Sequence, residues 1–234
     1  YDFPYMIYTT GWQRTGELTA STDQGASWYV LSQKLDEGLS DETKELGLRL
    51  EGPTDFHIHG LAVAPSDSDI VYVGSVHDAV YPDLTFNLDG AHIFKSSDAG
   101  ESFPEMSDGF PIETKTSINS IIVHPKDPDI AYVMTTLHES ETAIGIYKTT
   151  NGAASWKKAS NGIPKGAVID LAMDPLNPLV LYAITPEDIY RTRDGAEHWY
   201  SVNLGLPLLE DNSMALSAQD RLLNQILRNL LIIF

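Results

Sequence analysis

The chain of 234 residues is 42% hydrophobic and contains no cysteine, which excludes disulfide bonds and cysteine-ligated zinc. Its 33 Asp and Glu residues outnumber 15 Lys and Arg residues, and the formal net charge of -18 repels a phosphate backbone, so no nucleic acid partner is expected. No apolar run reaches the length of a membrane-spanning helix, so no transmembrane segment is expected.

The first predicted element, over residues 1–39, is an incomplete copy of a repeat. It opens with a β-prone run that ends at Tyr8, and it closes with a short segment around Gly38. Between them the chain fits the pattern S/T-x-D-x-G-x-x-aromatic, with Ser21, Asp23, Gly25 and Trp28. An insertion over 40–56 follows. Because the chain starts at Tyr1 and not at methionine, either a removed leader or an internal fragment is expected.

Three complete copies of the repeat follow, over 57–111, 112–164 and 165–207. Each opens with two apolar β-prone runs joined by a Pro-containing turn, which indicates a hairpin. A tyrosine ends the second run seven residues after the proline each time, in the pairs Pro65 and Tyr72, Pro125 and Tyr132, Pro175 and Tyr182. The first complete copy predicts four short strands, at 57–64, 69–75, 91–97 and 102–106.

The same S/T-x-D pattern recurs in every complete copy. Its residues are Ser96, Asp98, Gly100 and Phe103, then Thr149, Asn151 and Trp156, then Thr192, Asp194 and Trp199. Hydroxyl and carboxylate oxygens accept hydrogen bonds from backbone N–H groups in a turn, and glycine supplies a positive φ. Ala153 and Ala196 replace that glycine, and we expect the turn to use Gly152 and Gly195, one residue earlier, instead. A calcium site is less favoured, because each motif has one acidic residue at most.

These motifs resemble the Asp-box, or BNR-repeat, β-propellers over about residues 5–207. That superfamily includes bacterial sialidases, sortilin-type receptors, xyloglucan-cleaving glycosidases and the photosystem II assembly factor propellers. The resemblance implies an all-β propeller segment of about three and a half four-stranded blades, in which 1–39 is a partial blade and each complete copy is one blade. It also implies that each motif is an Asp box between the third and fourth strands, with its aromatic side chain returning between blades.

A helix is predicted at the end of the chain, within 208–234. Leu223, Ile226, Leu230 and Ile233 recur at three- and four-residue spacing. The helix would cover the last blade, pair with a partner, or be a non-native tail on a truncated chain. The truncated or non-native end is favoured.

Candidate ligand-binding residues lie where the inner strands begin and in the loops beside them. His57 and His59 are two residues apart, so on a regular strand they share a face, and with Asp55 or Asp170 they could hold a metal. The more common role of such histidines is hydrogen bonding at a strand entrance, and no metal or cofactor is expected. Asn119, His77 and Tyr81 complete the candidate ligand-binding set.

The sequence has a full set of structural motifs but no full set of catalytic ones. The early Arg-Ile-Pro motif that the resemblance would require of a sialidase is absent, and Asp170 is a lone weak candidate for a catalytic carboxylate. We therefore expect an exported binding or scaffold module that presents loops to a protein or a glycan. The alternative is a glycoside hydrolase, xyloglucanase-like or sialidase-like, whose active site is incomplete in this segment.

Overall fold

The computed structural model describes residues 7–10, 18–41, 56–77, 92–110, 116–137, 143–164, 168–185 and 188–202. Within those ranges the chain forms fourteen strands and one short helix, α1 (Ser32–Gly38). The strands are β1 (Ile7–Thr10), β2 (Leu18–Ser21), β3 (Tyr29–Val30), β4 (Phe56–Ala64), β5 (Asp67–His77), β6 (Ile93–Ser96), β7 (Thr116–Val123), β8 (Ala131–Leu137), β9 (Ala143–Thr149), β10 (Lys157–Lys158), β11 (Asp170–Met173), β12 (Leu181–Ile184), β13 (Ile189–Thr192) and β14 (Tyr200–Ser201). The predicted all-β class is confirmed.

The strands form four antiparallel sheets, each built from consecutive strands of the chain. The first sheet is β1-β2-β3 and the second is β4-β5-β6, while the third (β7 to β10) and the fourth (β11 to β14) have four strands each. An isolated bridge between Phe94 and Glu105 adds a short fourth member to the second sheet. Each sheet is therefore a local up-and-down meander, as the repeat predicts.

The repeated tyrosine fixes a common register in the three later sheets. Tyr72 pairs with Lys95, Tyr132 pairs with Lys148, and Tyr182 pairs with Arg191, so a cationic side chain lies beside the tyrosine each time. Tyr8 lies in β1, which takes the place of the second strand, since β1 pairs with β2 as β5 pairs with β6. The described part of the first sheet thus lacks the innermost strand that the other sheets have.

The hydrophobic core lies between neighbouring sheets, because a single sheet of this size cannot bury its own two faces. The cluster between the first and second sheets includes Leu18, Leu31, Leu35, Val71, Val73, Phe94 and Phe103. The cluster between the second and third includes Tyr72, Ile93, Ile118, Val133 and Trp156. The cluster between the third and fourth includes Tyr132, Met134, Ile146, Leu181 and Trp199.

Several sequence-based predictions lie outside the described residues. They are the C-terminal helix in 208–234, the aromatic Tyr81, and most of the insertion 40–56. The side chains of His57, His59 and His77 are likewise not described. Helix α1, by contrast, is not anticipated from the sequence; it buries Leu35 in the cluster between the first two sheets.

Candidate functional site

The inner strands of the second and third sheets carry the same irregularity at the same place. Ile58 pairs with Ser75 but Gly60 pairs with Gly74, so His59 is an extra residue in β4. Ile118 pairs with Thr135 but Ser120 pairs with Met134, so Asn119 is the extra residue in β7. Each is a β-bulge, a feature that re-aims side chains and is common beside binding sites.

The bulge changes the geometry assumed for the two histidines. Side chains two residues apart share a face only on a regular strand, and the bulge between Ile58 and Gly60 interrupts that alternation. The strand register still brings His77 close to His57, because Phe56 pairs with His77. The backbones of His57, His59 and His77 thus lie at one end of the second sheet, while Asn119 holds the matching, exposed position of the third.

The fourth sheet continues the pattern with different side chains. Ile169 occupies the position of His59 and Asn119 in the repeat and is exposed. Its backbone N–H donates to the carbonyl of Ile184, 2.6 Å away. Three neighbouring sheets therefore present an imidazole-bearing, an amide and an apolar residue at corresponding places.

Asp170, the candidate catalytic carboxylate, lies next to that position, at the first residue of β11. Its counterpart in the second sheet is Gly60, where any Cβ would press against Ile118 and Ile121 of the next sheet. The position therefore faces a neighbouring sheet. Burial raises the pKa of Asp170, against a lowering hydrogen bond from the Leu171 N–H at 2.8 Å.

A second carboxylate does not accompany Asp170 on the inner strands. Among the described residues of β4, β7 and β11, it is the one acidic side chain. Within the part of the chain that the structure covers, no three His, Asp or Glu side chains are grouped as a metal site. The same residues include no helix long and apolar enough to span a bilayer.

A buried His–Glu pair at the same end of the second sheet is missed by sequence reasoning. The imidazole Nδ1 of His92 lies 2.7 Å from a carboxylate oxygen of Glu105, and the two side chains are only 4% and 3% exposed. Glu105 also accepts the backbone N–H of Ser40 at 3.0 Å, which ties the segment after α1 to the second sheet. The two residues are 13 apart with no motif linking them, so no local signal could have found the pair.

The four S/T-x-D segments, termed motif hairpins here (21–28, 96–103, 149–156 and 192–199), link third-strand positions to fourth-strand positions. In the second hairpin the Ser96 hydroxyl donates to Asp98 at 2.7 Å and accepts the Gly100 N–H at 2.8 Å. Asp98 accepts both the backbone N–H and the hydroxyl of Ser102, at 2.9 and 2.6 Å. The other three hairpins repeat the bonds of the first hydroxyl and the backbone N–H bond through Ser21 and Asp23, Thr149 and Asn151, and Thr192 and Asp194. The second side-chain bond varies: the Ser27 hydroxyl donates to Asp23, the Asn151 amide donates to Ser155, and His198 Nδ1 lies 3.0 Å from a carboxylate oxygen of Asp194.

Each motif hairpin turns through two successive residues of positive φ, whichever of them is glycine. The values are 61° and 89° at Gln24 and Gly25, and 68° and 72° at Gly152 and Ala153. Two such residues define the type I′ turn. The expectation that glycine moves one position earlier is therefore incomplete, because the alanine in the second position is left-handed as well.

The carboxylates of the motif hairpins are fully engaged by their own turns. Hydrogen bonds from Ser27 and Ser21 lower the pKa of Asp23 to about 2. Partial desolvation opposes the shift at Asp98, but bonds from Ser102 and Ser96 outweigh it, and its pKa is lowered too. Hydrogen bonds from Thr192 and from the His198 N–H hold the pKa of Asp194 well below its usual range. These oxygens therefore accept hydrogen bonds within their own turns.

A lysine from one sheet binds the motif hairpin of the next sheet through a backbone carbonyl. Lys95 donates to the carbonyl of Gly152 at 3.0 Å, and Lys148 donates to that of Gly195 at 2.8 Å. The first sheet has no lysine at this place, and Lys34 of α1 donates to the carbonyl of Gly100 at 3.0 Å instead. Each contact between neighbouring sheets, termed a junction here, thus contains one lysine-to-carbonyl bond.

The motif tryptophans complete the two later junctions from the other side, whereas the first junction has Phe103, which has no N–H to donate. Trp156 donates its indole N–H to the carbonyl of Met106 at 2.9 Å, and Trp199 donates to that of Ala159 at 2.8 Å. A Cβ at Gly109 would collide with the carbonyl oxygen of Trp156, and one at Gly162 would collide with that of Trp199. The motif hairpin of one repeat therefore packs directly against the glycine of the Gly-x-Pro element in the repeat before it.

Known structures share this architecture. A GH74 enzyme from Niastella koreensis aligns with a TM-score of 0.56 and 20% identity over 85% of this chain and 27% of the enzyme. An ancestral GH74 enzyme gives a TM-score of 0.58 and 16% identity over 86% of this chain and 26% of its own length. The GH74 xyloglucanase from Xanthomonas campestris gives a TM-score of 0.57 and 15% identity, over 86% and 29% of the two chains.

These matched structures have the propeller fold. The chain forms part of a β-propeller. It spans 26–29% of the length of these three proteins. At such identities the likeness shows the fold alone, and fold does not fix function. No protein-family model matches the chain, and no curated protein matches it.

Proposed function

We propose that this chain is an Asp-box propeller module that binds a protein or a glycan at the bulged ends of its inner strands. The observation that carries the proposal is the β-bulge repeated in β4 and β7, at His59 and Asn119. A bulge interrupts the hydrogen bonding between two strands and changes the direction of a side chain. Binding sites are often found at such places on a rigid scaffold. The junctions supply that rigidity.

The candidate site combines the chemistry that either ligand class requires. Asn119 is an exposed amide, which can both donate and accept hydrogen bonds. Histidines His57, His59 and His77 reach the same end of the neighbouring sheet through their backbones. Residues 78–91, which include Tyr81, follow His77 in the sequence, and long connections on rigid scaffolds commonly carry binding function.

The binding test uses two defined probes, a set of xyloglucan and β-glucan oligosaccharides and a displayed library of random peptides. We expect a ligand from one of the two that loses at least about tenfold in affinity with Asn119→Ala or His59→Ala. The matched control is Asn177→Ala, an exposed asparagine in the turn between β11 and β12, which should bind as the parent does. Equal losses with the control, or no ligand from either set, would contradict the proposal.

A glycoside hydrolase is the second candidate, and the raised pKa of Asp170 is the observation that favours it. A raised pKa lets a carboxyl keep its proton to higher pH, as a general acid requires, but hydrolysis needs a second carboxylate across the cleft. The assay is turnover of aryl glycosides and xyloglucan by the parent and by Asp170→Asn. Turnover that the substitution abolishes would replace the binding proposal with this one.

We also place the module outside the cytoplasm as part of the proposal. The support is the resemblance of its motifs to exported glycosidases and receptors. Fractionation of the native host, followed by detection with an antibody against this chain, tests the location. Recovery in the cytoplasmic fraction alone would contradict it.

A further inference from the structure

A junction has two halves, and the described residues contain more halves than they join to one another. One half is a receiving face, made of the repeated tyrosine, its paired cation and the carbonyl three residues after the motif aromatic. The other half is a motif hairpin, which offers a turn carbonyl and, in every hairpin but the second, an indole N–H. The third and fourth hairpins pack on such receiving faces of the sheets before them. The second hairpin packs on the first sheet with Lys34 of α1 in place of the paired cation.

The fourth sheet presents a further receiving face. Tyr182 pairs with Arg191 as Tyr72 pairs with Lys95 and Tyr132 with Lys148. Tyr72 and Tyr132 are buried, whereas Tyr182 is only partly buried; Ile184 on the same face is also partly buried, whereas its counterpart Met134 is buried. The chemistry of this face is therefore that of the internal junctions, with apolar surface left accessible around the tyrosine.

The first sheet presents a further motif hairpin in its bound form. Trp28 is 46% exposed, while its counterparts Phe103, Trp156 and Trp199 are 1%, 2% and 3% exposed. The turn at Gln24 and Gly25 already has the two positive φ values of the seated hairpins. No ordering of this turn is needed before it docks, which lowers the entropic cost of an interface.

We propose that a second copy of this chain docks head to tail, seating its hairpin 21–28 on the Tyr182–Arg191 face of the first. By the repeat, the Arg191 guanidinium takes the place of Lys95 and Lys148 and donates to the Gln24 carbonyl. The Trp28 indole N–H takes the place of Trp156 and donates to the carbonyl of Val202. The proposed contact repeats an interface that the chain forms twice within itself with a paired lysine and a tryptophan, and once with Lys34 and Phe103 in their places.

The same correspondence explains why this contact is weaker than an internal junction. Lys148 lies 3.4 Å from a carboxylate oxygen of Glu197, but the corresponding residue of the first hairpin is Ala26. The geometry is heterologous, because two different surfaces meet, and it leads to rings or chains of copies.

The test is sedimentation velocity of the full chain over a wide concentration range. We expect concentration-dependent association that weakens at least about tenfold with Arg191→Glu, which reverses the charge facing the hairpin. Adding Ala26→Lys to Arg191→Glu restores association, because each contact then joins opposite charges from two copies. Circular dichroism of every variant confirms that the fold is kept.

The matched control is Ala154→Lys added to Arg191→Glu. Ala154 holds the same place in the third hairpin as Ala26 in the first, and both are exposed, so the net charge changes equally. This control should not restore association. A monomer at all concentrations, association indifferent to Arg191→Glu, or rescue by Ala154→Lys as good as by Ala26→Lys would each overturn the proposal, as would a loss that Ala26→Lys fails to rescue.

Discussion

The first motif hairpin and the third have the same internal structure in opposite surroundings. In both, the hydroxyl of the first residue accepts the N–H four residues on, at 2.8 Å in the first and 3.0 Å in the third. Both turn through two residues of positive φ. Yet Trp28 of the first is nearly half exposed, whereas Trp156 of the third is buried against the second sheet.

The comparison separates the hydrogen bonds within a hairpin from the packing that the neighbouring sheet provides. The turn, its capping hydroxyl and its carboxylate or amide form without a neighbouring sheet. Burial of the aromatic ring and the indole hydrogen bond come only from the junction. The stabilising energy of the ring should therefore differ between hairpins, while that of the turn should not.

The largest expected effect comes from removing the two tryptophans one at a time. Trp156→Ala removes a buried ring and its bond to Met106, and should lower the free energy of unfolding by about 3–5 kcal/mol. Trp28→Ala removes a ring with no such bond among the described residues, and should cost about 1 kcal/mol or less. Urea denaturation followed by circular dichroism measures both. Equal losses would show that the first hairpin is as tightly packed in solution as the third.

The next effect isolates the close approach of backbones at a junction. Gly109 and Gly25 have similar φ values, 82° and 89°, so alanine brings similar backbone strain to both. At Gly109 the new Cβ also collides with the carbonyl of Trp156, whereas at Gly25 the nearest atom, in Trp28, is 3.6 Å away. Gly109→Ala should destabilise by about 2 kcal/mol more than the roughly 1 kcal/mol of Gly25→Ala. The same denaturation experiment measures the difference, and matching values would remove the steric argument.

The smallest expected effect is on the pH dependence of stability, and it compares Asp98 of the second hairpin with Asn151 of the third. A carboxyl whose pKa is lowered by folding stabilises the protein above its unfolded pKa, and this contribution is lost as the pH falls through the folded value. The pKa of an unfolded Asp is about 4, so the stability that Asp98 contributes is lost as the pH falls below about 4. Asp98→Asn removes this contribution and should flatten the dependence of stability on pH in that range. Asn151→Asp should steepen it, because it adds a carboxyl with the same donors.

Thermal unfolding between pH 2 and pH 5 measures this effect, with Asp41→Asn as a control outside the hairpins. Asp41 is exposed and lies just after α1, so its removal changes the charge without touching a turn. Profiles of the two hairpin variants that move in the same direction, or that match the control, would contradict the assignment.

The fold could be predicted because its signals are local and repeated. The spacing between Pro65 and Tyr72 recurs twice, and the structure places both tyrosine counterparts in second strands, as it does Tyr8. Predicted strands at 57–64 and 69–75 agree closely with β4 and β5. Each motif hairpin can be recognised from eight consecutive residues, because the side chains that hydrogen-bond its turn belong to the same segment.

The features that escaped prediction depend on residues far apart in the chain. Lys95 meets a carbonyl 57 residues later, and Lys34 does the same from a helix that the repeat does not contain. His92 and Glu105 show no motif. The bulge at His59 depends on how β4 pairs with β5, which the alternation of side chains in one strand does not reveal. The candidate binding residues remain predictions, and the bulge changes only the geometry that the sequence suggested for His57 and His59.

The lysine bond at each junction ends on a main-chain oxygen, as at Gly152 and Gly195. Because that atom belongs to the main chain, Gln24 and Ala99 hold the corresponding place in the other two hairpins, although a Cβ at Gly152 would collide with Asp129 and Lys95. A duplicated repeat would bring both its own receiving face and its own motif hairpin, so it would pack against the repeat from which it was copied. An architecture joined in this way can lengthen by copying, with no new complementary surface to be invented.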